Sequence, residues 1–197
     1  MKFGQTYSLI LAAAATSVFG SPVAESQAQG PSIIKVKLGA YGFEPHEIQA
    51  EVGDLIQFHF GKGISSVVQS DFDTLCQPLD GGFVSETFTV DITSSNGESS
   101  HVFEVPITNT DPIAFYNGGK GKCNLYAYFG VINGVEGTDQ SYQALRAKAR
   151  TSGSKQVSRD PGEAKGGETK PNPDFVEEDK ENQKEEEDEE EEKDEEE

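Results

Sequence analysis

The sequence predicts an all-β domain, and three observations support that prediction. Between residues 32 and 133, short stretches of alternating apolar and polar residues are separated by turn residues about every eight to twelve positions. These stretches are rich in Val, Ile, Phe and Tyr, which favour strands. The residues on either side lack this pattern, so we expect one sandwich or barrel domain over residues 31–150, closed by a short helix.

The strands are predicted in the order of their apolar stretches. Alternation in "LIQFHF" puts Ile56, Phe58 and Phe60 on one face and Gln57 and His59 on the other. We therefore expect the aromatic face to lie in the core and His59 to face solvent. The segments predicted as strands are "IIKVKL", "EIQAEVGDLIQFHF" with a turn in its middle, "SSVVQS", "ETFTVDI", "HVFEVPI", "PIAFYN" and "YFGVIN".

A helix is predicted after the last strand, in "GTDQSYQALRAKARTS", where the spacing of apolar residues changes. Tyr142, Leu145 and Ala149 fall on one helical face, which should pack against the sandwich. Asp139 or Thr138 is placed to cap the start of this helix.

The two ends of the chain differ from the domain in composition. Residues 1–20 combine Lys2 with the apolar run "SLILAAAATSVFG", which is typical of a signal peptide and too short to span a bilayer. We therefore expect a secreted, extracellular protein. Residues 151–197 are rich in Gly, Pro, Ser, Lys and Glu, which predicts a disordered tail, and the tail ends without an apolar segment for a lipid anchor.

The formal net charge of −19 is unevenly distributed along the chain. Residues 177–197 hold 16 acidic and 3 basic side chains, so the tail is strongly acidic from residue 177. Residues 1–145 hold 15 acidic and 6 basic side chains. No basic face is therefore expected on the folded region to bind phosphates, and nucleic acid is not an expected partner.

The residues that carry chemistry are few. Cys76 and Cys123 are the only cysteines, and an even number in an oxidising compartment predicts one disulfide, with two free thiols or a two-cysteine metal site as the alternatives. His46, His59 and His101 lie on different predicted strands or strand edges, as scattered surface histidines do. Because the sequence shows no nucleophile cluster, metal-binding helix or phosphate loop, and "GGKGK" fits a tight turn, we do not expect an enzyme.

Four segments occur in an order and at spacings that resemble the fungal extracellular cupredoxin-like proteins. They are "GFEPHEIQAEVGDLIQFHF", "SSVVQSDFDTLCQP", "PIAFYN" and "KCNLYAYFGVIN". The resemblance implies a Greek-key cupredoxin-like β-sandwich, with Cys76 and Cys123 as the family's disulfide pair. It covers about residues 32–150 and leaves the acidic tail outside.

The same resemblance implies that the copper ligands have been lost. A blue-copper centre needs two imidazoles, a thiolate and a weak axial thioether. At the matching positions this chain has Ser65, Asn117, Lys122 and Ala127, or Tyr128 if the gap is placed differently. The sequence therefore predicts a degenerate member of the family without a copper cofactor at this site.

These observations predict a secreted, non-catalytic binding or interaction protein. The candidate surface is the end of the sandwich around Ser65, Asn117, Lys122 and Tyr126, and the partner would be a cell-wall polymer or, for a secreted effector, a host protein. One alternative is an extracellular copper-binding protein that works in electron transfer. Another is a protein whose acidic tail binds basic partners.

Overall fold

Two β-sheets packed face to face form the body of the protein in the computed structural model, which describes residues 31–94, 96–151 and 164–176. The predicted signal peptide and the acidic part of the tail lie outside these residues. The elements in chain order are β1 (Ile33–Gly39), β2 (Gly42–Glu44), β3 (Glu47–Ile48), β4 (Leu55–Gly61), β5 (Gly63–Ser65), β6 (Val67–Ser70), β7 (Phe88–Val90), β8 (Glu98–Pro106), β9 (Ile113–Asn117), α1 (Lys122–Tyr126), β10 (Phe129–Ile132), α2 (Tyr142–Ala149) and β11 (Glu168–Pro171).

The strands are divided between a larger and a smaller sheet. The larger sheet has the order β11-β8-β4-β1-β2, and the smaller one has the order β3-β10-β9-β6. Strands β5 and β7 form a separate antiparallel pair. Strands β1, β2, β4 and β8 belong to the larger sheet, whereas β3, β6, β9 and β10 belong to the smaller one, so the chain crosses repeatedly between the two sheets. This confirms the predicted sandwich.

Aromatic side chains fill the space between the sheets. Ile56, Phe58 and Phe60 of β4 are fully buried, as the alternation predicts. The Phe115 ring on the opposite sheet meets Phe43 and Phe58 edge-on, with ring centres 4.9 and 5.3 Å apart. Edge-to-face packing at these distances adds to the free energy gained from burying the rings.

A second apolar cluster covers the outer face of the smaller sheet. Helix α2 places Leu145 and Ala149 in this cluster, as the sequence predicts. The cap prediction was wrong, because Ser141 caps the helix by accepting a hydrogen bond from the Ala144 N–H at 3.2 Å. Thr138 instead shapes the preceding turn, where its carbonyl accepts a hydrogen bond from the Ser141 hydroxyl.

The expectation that the tail is disordered from residue 151 does not hold for residues 164–176. Strand β11 pairs antiparallel with β8 and becomes the edge of the larger sheet. Just before it, the backbone of Lys165 exchanges two 2.9 Å hydrogen bonds with Val84. Low mean hydropathy does not prevent this pairing, because main-chain hydrogen bonds to an existing strand do not depend on side-chain composition.

The returning C-terminal residues also explain why His59 is buried, although alternation predicts it at the solvent face. His59 and Gln57 do lie on the outer face of the larger sheet, but only 1 % and 2 % of their surfaces are exposed. Residues 172–176, which follow the edge strand β11, run over this face, where Asn172 bonds to the Ser99 carbonyl and Asp174 pairs with Lys35 at 2.7 Å.

The buried His59 ring is surrounded by polar partners. Its Nε2 lies 2.8 Å from Gln57 Oε1, and its Nδ1 lies 3.5 Å from a Glu98 carboxylate oxygen. Burial would raise the pKa of Glu98, but the hydrogen bond and charge of Lys37 outweigh burial and hold that pKa below its usual value.

Among the described residues, no helix is long and apolar enough to cross a membrane.

Candidate functional site

The four positions that the sequence resemblance matches to copper ligands lie in the loops and strand ends at one end of the sandwich, which we call the loop end. Ser65 is the last residue of β5, and Asn117 is the last residue of β9. Lys122 begins α1, and Ala127 ends it. We include Tyr126, the last helical residue, because it was predicted as part of the same surface.

Asn117 is the structural centre of the loop end. Its side chain is 2 % exposed, and its Oδ1 accepts a hydrogen bond from the Gly119 N–H at 2.9 Å. Its own N–H donates to the Tyr128 carbonyl at 2.9 Å, which joins the start of the loop to its end. A buried amide with these bonds holds the loop closed, as a turn-forming Asn does.

Gly119 brings the predicted residues together. A Cβ atom on Gly119 would lie 3.0 Å from Lys122 Cγ, 3.2 Å from Asn117 Oδ1 and 3.9 Å from the Ile64 carbonyl oxygen. The position therefore accepts only a very small residue without displacing its neighbours. The N–H of the preceding residue, Gly118, donates to the Ser66 carbonyl at 3.2 Å, so the loop is attached directly beside Ser65.

Ser65 presents a buried hydroxyl to this junction. The residue is 7 % exposed, and its Oγ has no hydrogen-bond partner among the residues that the structure describes. A buried hydroxyl without a partner costs free energy. The backbone of Ser65 is fixed by pairing with Phe88 of β7.

Lys122 extends over two neighbouring tyrosine rings. Its ammonium nitrogen lies 5.4 Å from the ring centre of Tyr126 and 5.3 Å from that of Tyr128. The two rings are 5.9 Å apart, so both can attract the cation through their π-electrons. This places a fixed positive charge on the surface of the loop end.

The three tyrosines near the loop end differ in how far their side chains are exposed. Tyr116 is fully buried, and burial raises the pKa of its hydroxyl. Tyr128 is half-buried and donates its hydroxyl hydrogen to the Ala40 carbonyl. Tyr126 is 62 % exposed.

Two further exposed residues of the loop end were missed by the sequence analysis. Tyr41 is 99 % exposed, and it follows Ala40, which accepts the hydrogen bond from Tyr128. Leu125 of α1 is 74 % exposed. The exposure of Tyr41 could have been predicted from its position in a turn between two strands, because an aromatic side chain at a turn usually cannot reach the core.

The tight turn predicted at "GGKGK" is confirmed by the hydrogen bond from the Lys122 N–H to the Gly119 carbonyl at 3.0 Å, and the short helix α1 follows it. It is bounded by two left-handed residues, Gly121 with φ of 75° and Ala127 with φ of 58°. The Ala127 N–H bonds to the Lys122 carbonyl, which completes the turn. Positive φ is common for Gly and unusual for Ala, so the end of this helix could not be predicted from residue type.

The disulfide between Cys76 and Cys123 is confirmed. It joins α1 to the segment that follows β6, with the two Cα atoms 5.7 Å apart. Both residues are fully buried beside Leu75 and Tyr116 in the cluster under α2. The bond therefore fixes the loop end to the smaller sheet.

The side chains at the loop end do not fit a blue-copper centre. Such a centre needs imidazole, thiolate and thioether ligands, whereas the loop end offers a hydroxyl, an amide, an ammonium and a methyl group. The amide of Asn117 is already engaged by Gly119, and Lys122 would have to lose a proton before it could bind a metal. The donor set thus differs from the family's at every matching position.

The three histidines remain apart in the structure. The His46 ring packs on Tyr142 with ring centres 4.3 Å apart, and His101 bonds to the hydroxyl of Ser100. His59 is buried under the C-terminal segment. Within residues 31–94, 96–151 and 164–176, no group of three or more His, Cys, Asp or Glu residues is arranged to hold a metal ion.

The two-sheet sandwich, with the loop that holds Lys122 between β9 and β10, is the architecture that the resemblance to the cupredoxin-like proteins implies. The chain is similar to a protein of the fungus Arthroderma benhamiae described as "Probable GPI-anchored cupredoxin-1". The two are 31 % identical over 84 residues, which span 43 % of this chain and 40 % of that relative.

No family model matches the chain. Among solved structures, dithionite-reduced auracyanin from the photosynthetic bacterium Roseiflexus castenholzii aligns with a TM-score of 0.35 and 11 % identity, covering 53 % of this chain and 97 % of auracyanin.

Proposed function

We propose that the protein is a secreted, non-catalytic binding protein that carries no copper at the family's site, and that its partner docks on the loop end. The proposal rests above all on one observation. Where the resemblance implies copper ligands, this chain places a lysine whose ammonium lies over two tyrosine rings, one of them largely exposed.

The chemistry of the loop end favours a cell-wall polysaccharide as the partner. Tyr41 and Tyr126 expose aromatic rings, and Leu125 adds apolar surface beside them. A tyrosine offers an apolar ring face together with a hydroxyl, which suits the mixed apolar and hydroxyl surface of a sugar. Because the disulfide and the hydrogen bonds of Asn117 fix the loop, the rings lose little conformational freedom on binding.

Secretion is supported by two observations. The chain forms a disulfide, and structural disulfides persist mainly in oxidising compartments. The Arthroderma relative is described as GPI-anchored, which is a description of a cell-surface protein. Both fit a protein that works outside the cell or at its surface, where a wall polymer is available.

A sedimentation assay with purified fungal and plant cell-wall polysaccharides tests the proposal. We expect the full chain to be retained by one of them, and Tyr126→Ala to weaken retention by about tenfold, as loss of an aromatic anchor does. Val52→Ala is the matched control, since Val52 is 64 % exposed and precedes the opposite end of β4.

The polymer assay has two contradicting outcomes. Equal loss of retention in Tyr126→Ala and Val52→Ala would show that the loop end is not the docking surface. Absence of retention on every polysaccharide, with capture of a soluble host protein by the same surface, would assign the partner to the second class.

The copper-free state is tested separately on protein recovered from culture medium. We expect less than stoichiometric copper by mass spectrometry and no blue absorption band after addition of one equivalent of Cu²⁺. A stoichiometric metal content or a blue band would restore the alternative of an electron-transfer cupredoxin, because that band requires copper bound to a thiolate.

A further inference from the structure

Three lysines of the loop end carry charges that no ion pair neutralises within the described part of the chain. Lys62 and Lys120 are exposed, and Lys122 is half-buried on its two tyrosine rings. The ion pairs in this part of the structure use other cations, among them Lys35, Lys37 and Lys148. We call these three residues the lysine cluster.

Two carboxylates near Lys62 are already engaged. Glu98 is bonded to Lys37 at 2.8 Å and faces His59. The pKa of Asp91 is held low mainly by hydrogen bonds from Thr93, with a smaller contribution from the charge of Lys62. The cluster is therefore a local positive surface on a chain that is acidic overall.

The C-terminal segment leaves the folded body beside this cluster. The Asn96 amide donates to the Val176 carbonyl at 2.6 Å, which fixes the last described residue at the start of β8. A Cβ on the neighbouring Gly97 would lie 3.5 Å from Lys62 Cε. Lys62 in turn precedes β5, whose Ile64 carbonyl approaches Gly119 beside Lys122.

The residues that follow Val176 are strongly anionic. Residues 177–197 carry 16 acidic and 3 basic side chains, and 21 residues can reach about 70 Å when extended. Attachment at Val176 gives them an effective concentration on the order of millimolar at the lysine cluster. Each exposed ion pair is weak by itself, so several contacts together with this tethering are needed for occupancy.

We propose that residues 177–197 dock on the lysine cluster and act as an intramolecular competitor for the loop end. The occupant is this chain's own acidic segment. The competitive role rests on the proposed binding function, but the docking itself does not. An anionic segment at Lys122 would lie over the surface that Tyr126 offers to a polymer. Because its attraction to the lysine cluster is electrostatic, occupancy of the cluster by the segment should decrease as salt screens the charges.

Docking is measured without any partner, by backbone amide NMR spectra of the full chain and of a chain ending at Val176. At about 20 mM salt, we expect the two spectra to differ at the amides of Lys62, Gly119, Lys120 and Lys122. At about 500 mM salt, where the Debye length falls to a few Å, the differences should disappear. The high-salt spectra also show that both chains are folded alike.

Charge variants of the full chain locate the contact. Lys62→Gln combined with Lys120→Gln should remove most of the low-salt shifts, and adding Lys122→Gln should remove the rest. The matched control is Arg146→Gln with Arg150→Gln, which removes two exposed cations of the α2 region. We expect this control to keep the shifts.

Two results would overturn the docking proposal: identical low-salt spectra of the full and shortened chains, or shifts confined to α2 and lost in the arginine control. If docking is observed but no polysaccharide binds, the proposed function fails while docking stands. If a polysaccharide binds equally to both chains at low salt, the competitive role is excluded.

Discussion

Gly167 tests whether residues 164–176 are an integral part of the sandwich. It lies just before β11, and a Cβ there would be 2.6 Å from Phe103 Cζ and closer still to the Glu104 carbonyl. Carbon atoms pack at about 3.5–4.0 Å, so Gly167→Ala requires a displacement of about 1 Å. Because Phe103 is fully buried, it cannot move away freely.

The expected cost of Gly167→Ala is that of overpacking a filled site, about 1–3 kcal/mol. For a domain of this size, this corresponds to a decrease in Tm of about 4–12 °C. The matched control is Gly39→Ala, since a Cβ on Gly39 meets nothing within 4 Å and its φ is not positive. We expect the control to change Tm by less than about 2 °C.

Differential scanning calorimetry measures these shifts, and limited trypsin digestion locates them. If the segment detaches instead of straining the core, cleavage after Lys165 should be faster in Gly167→Ala than in the wild type. A variant with unchanged Tm and unchanged cleavage after Lys165 would refute the placement of β11 against β8 and Phe103.

Three other stability measurements follow from the structure. Lys37 holds the pKa of Glu98 below its unfolded value of 4.5, so the ionised Glu98 stabilises the fold fully above about pH 4.5. This stabilisation is lost as pH falls through the lower folded pKa. Glu98→Gln should therefore flatten the acid side of a Tm-against-pH curve, and an unchanged curve would contradict this. Replacing both Cys76 and Cys123 by Ser should cost about 4 kcal/mol in urea unfolding, and a loss below about 1 kcal/mol would show that the disulfide adds little. Ser141→Ala removes the cap of α2 and should cost about 0.5–2 kcal/mol in the same assay, whereas no change would mean that the cap is not needed.

The sequence predicted the parts of the site that depend on chain order. Asn117 and Lys122 flank one loop, and Gly119 in that loop lies close to the side chains of both. The pairing of Cys76 with Cys123 could also be predicted, because only two cysteines are present. The place of Tyr41 at the loop end could not be predicted, because it depends on how β1 and β2 present their turn beside Tyr128.

The sequence by itself determined the all-β class, the aromatic core of β4, the position of α2 and the absence of copper-type ligands at the loop end. These properties depend on residue type and local periodicity. Only the tertiary structure decided that His59 is buried and that residues 168–171 form a strand. Alternation assigns a side chain to one face of a sheet, but it does not show what covers that face. Here the face is covered by residues more than a hundred positions away in the chain, and their main-chain pairing has little signature in composition.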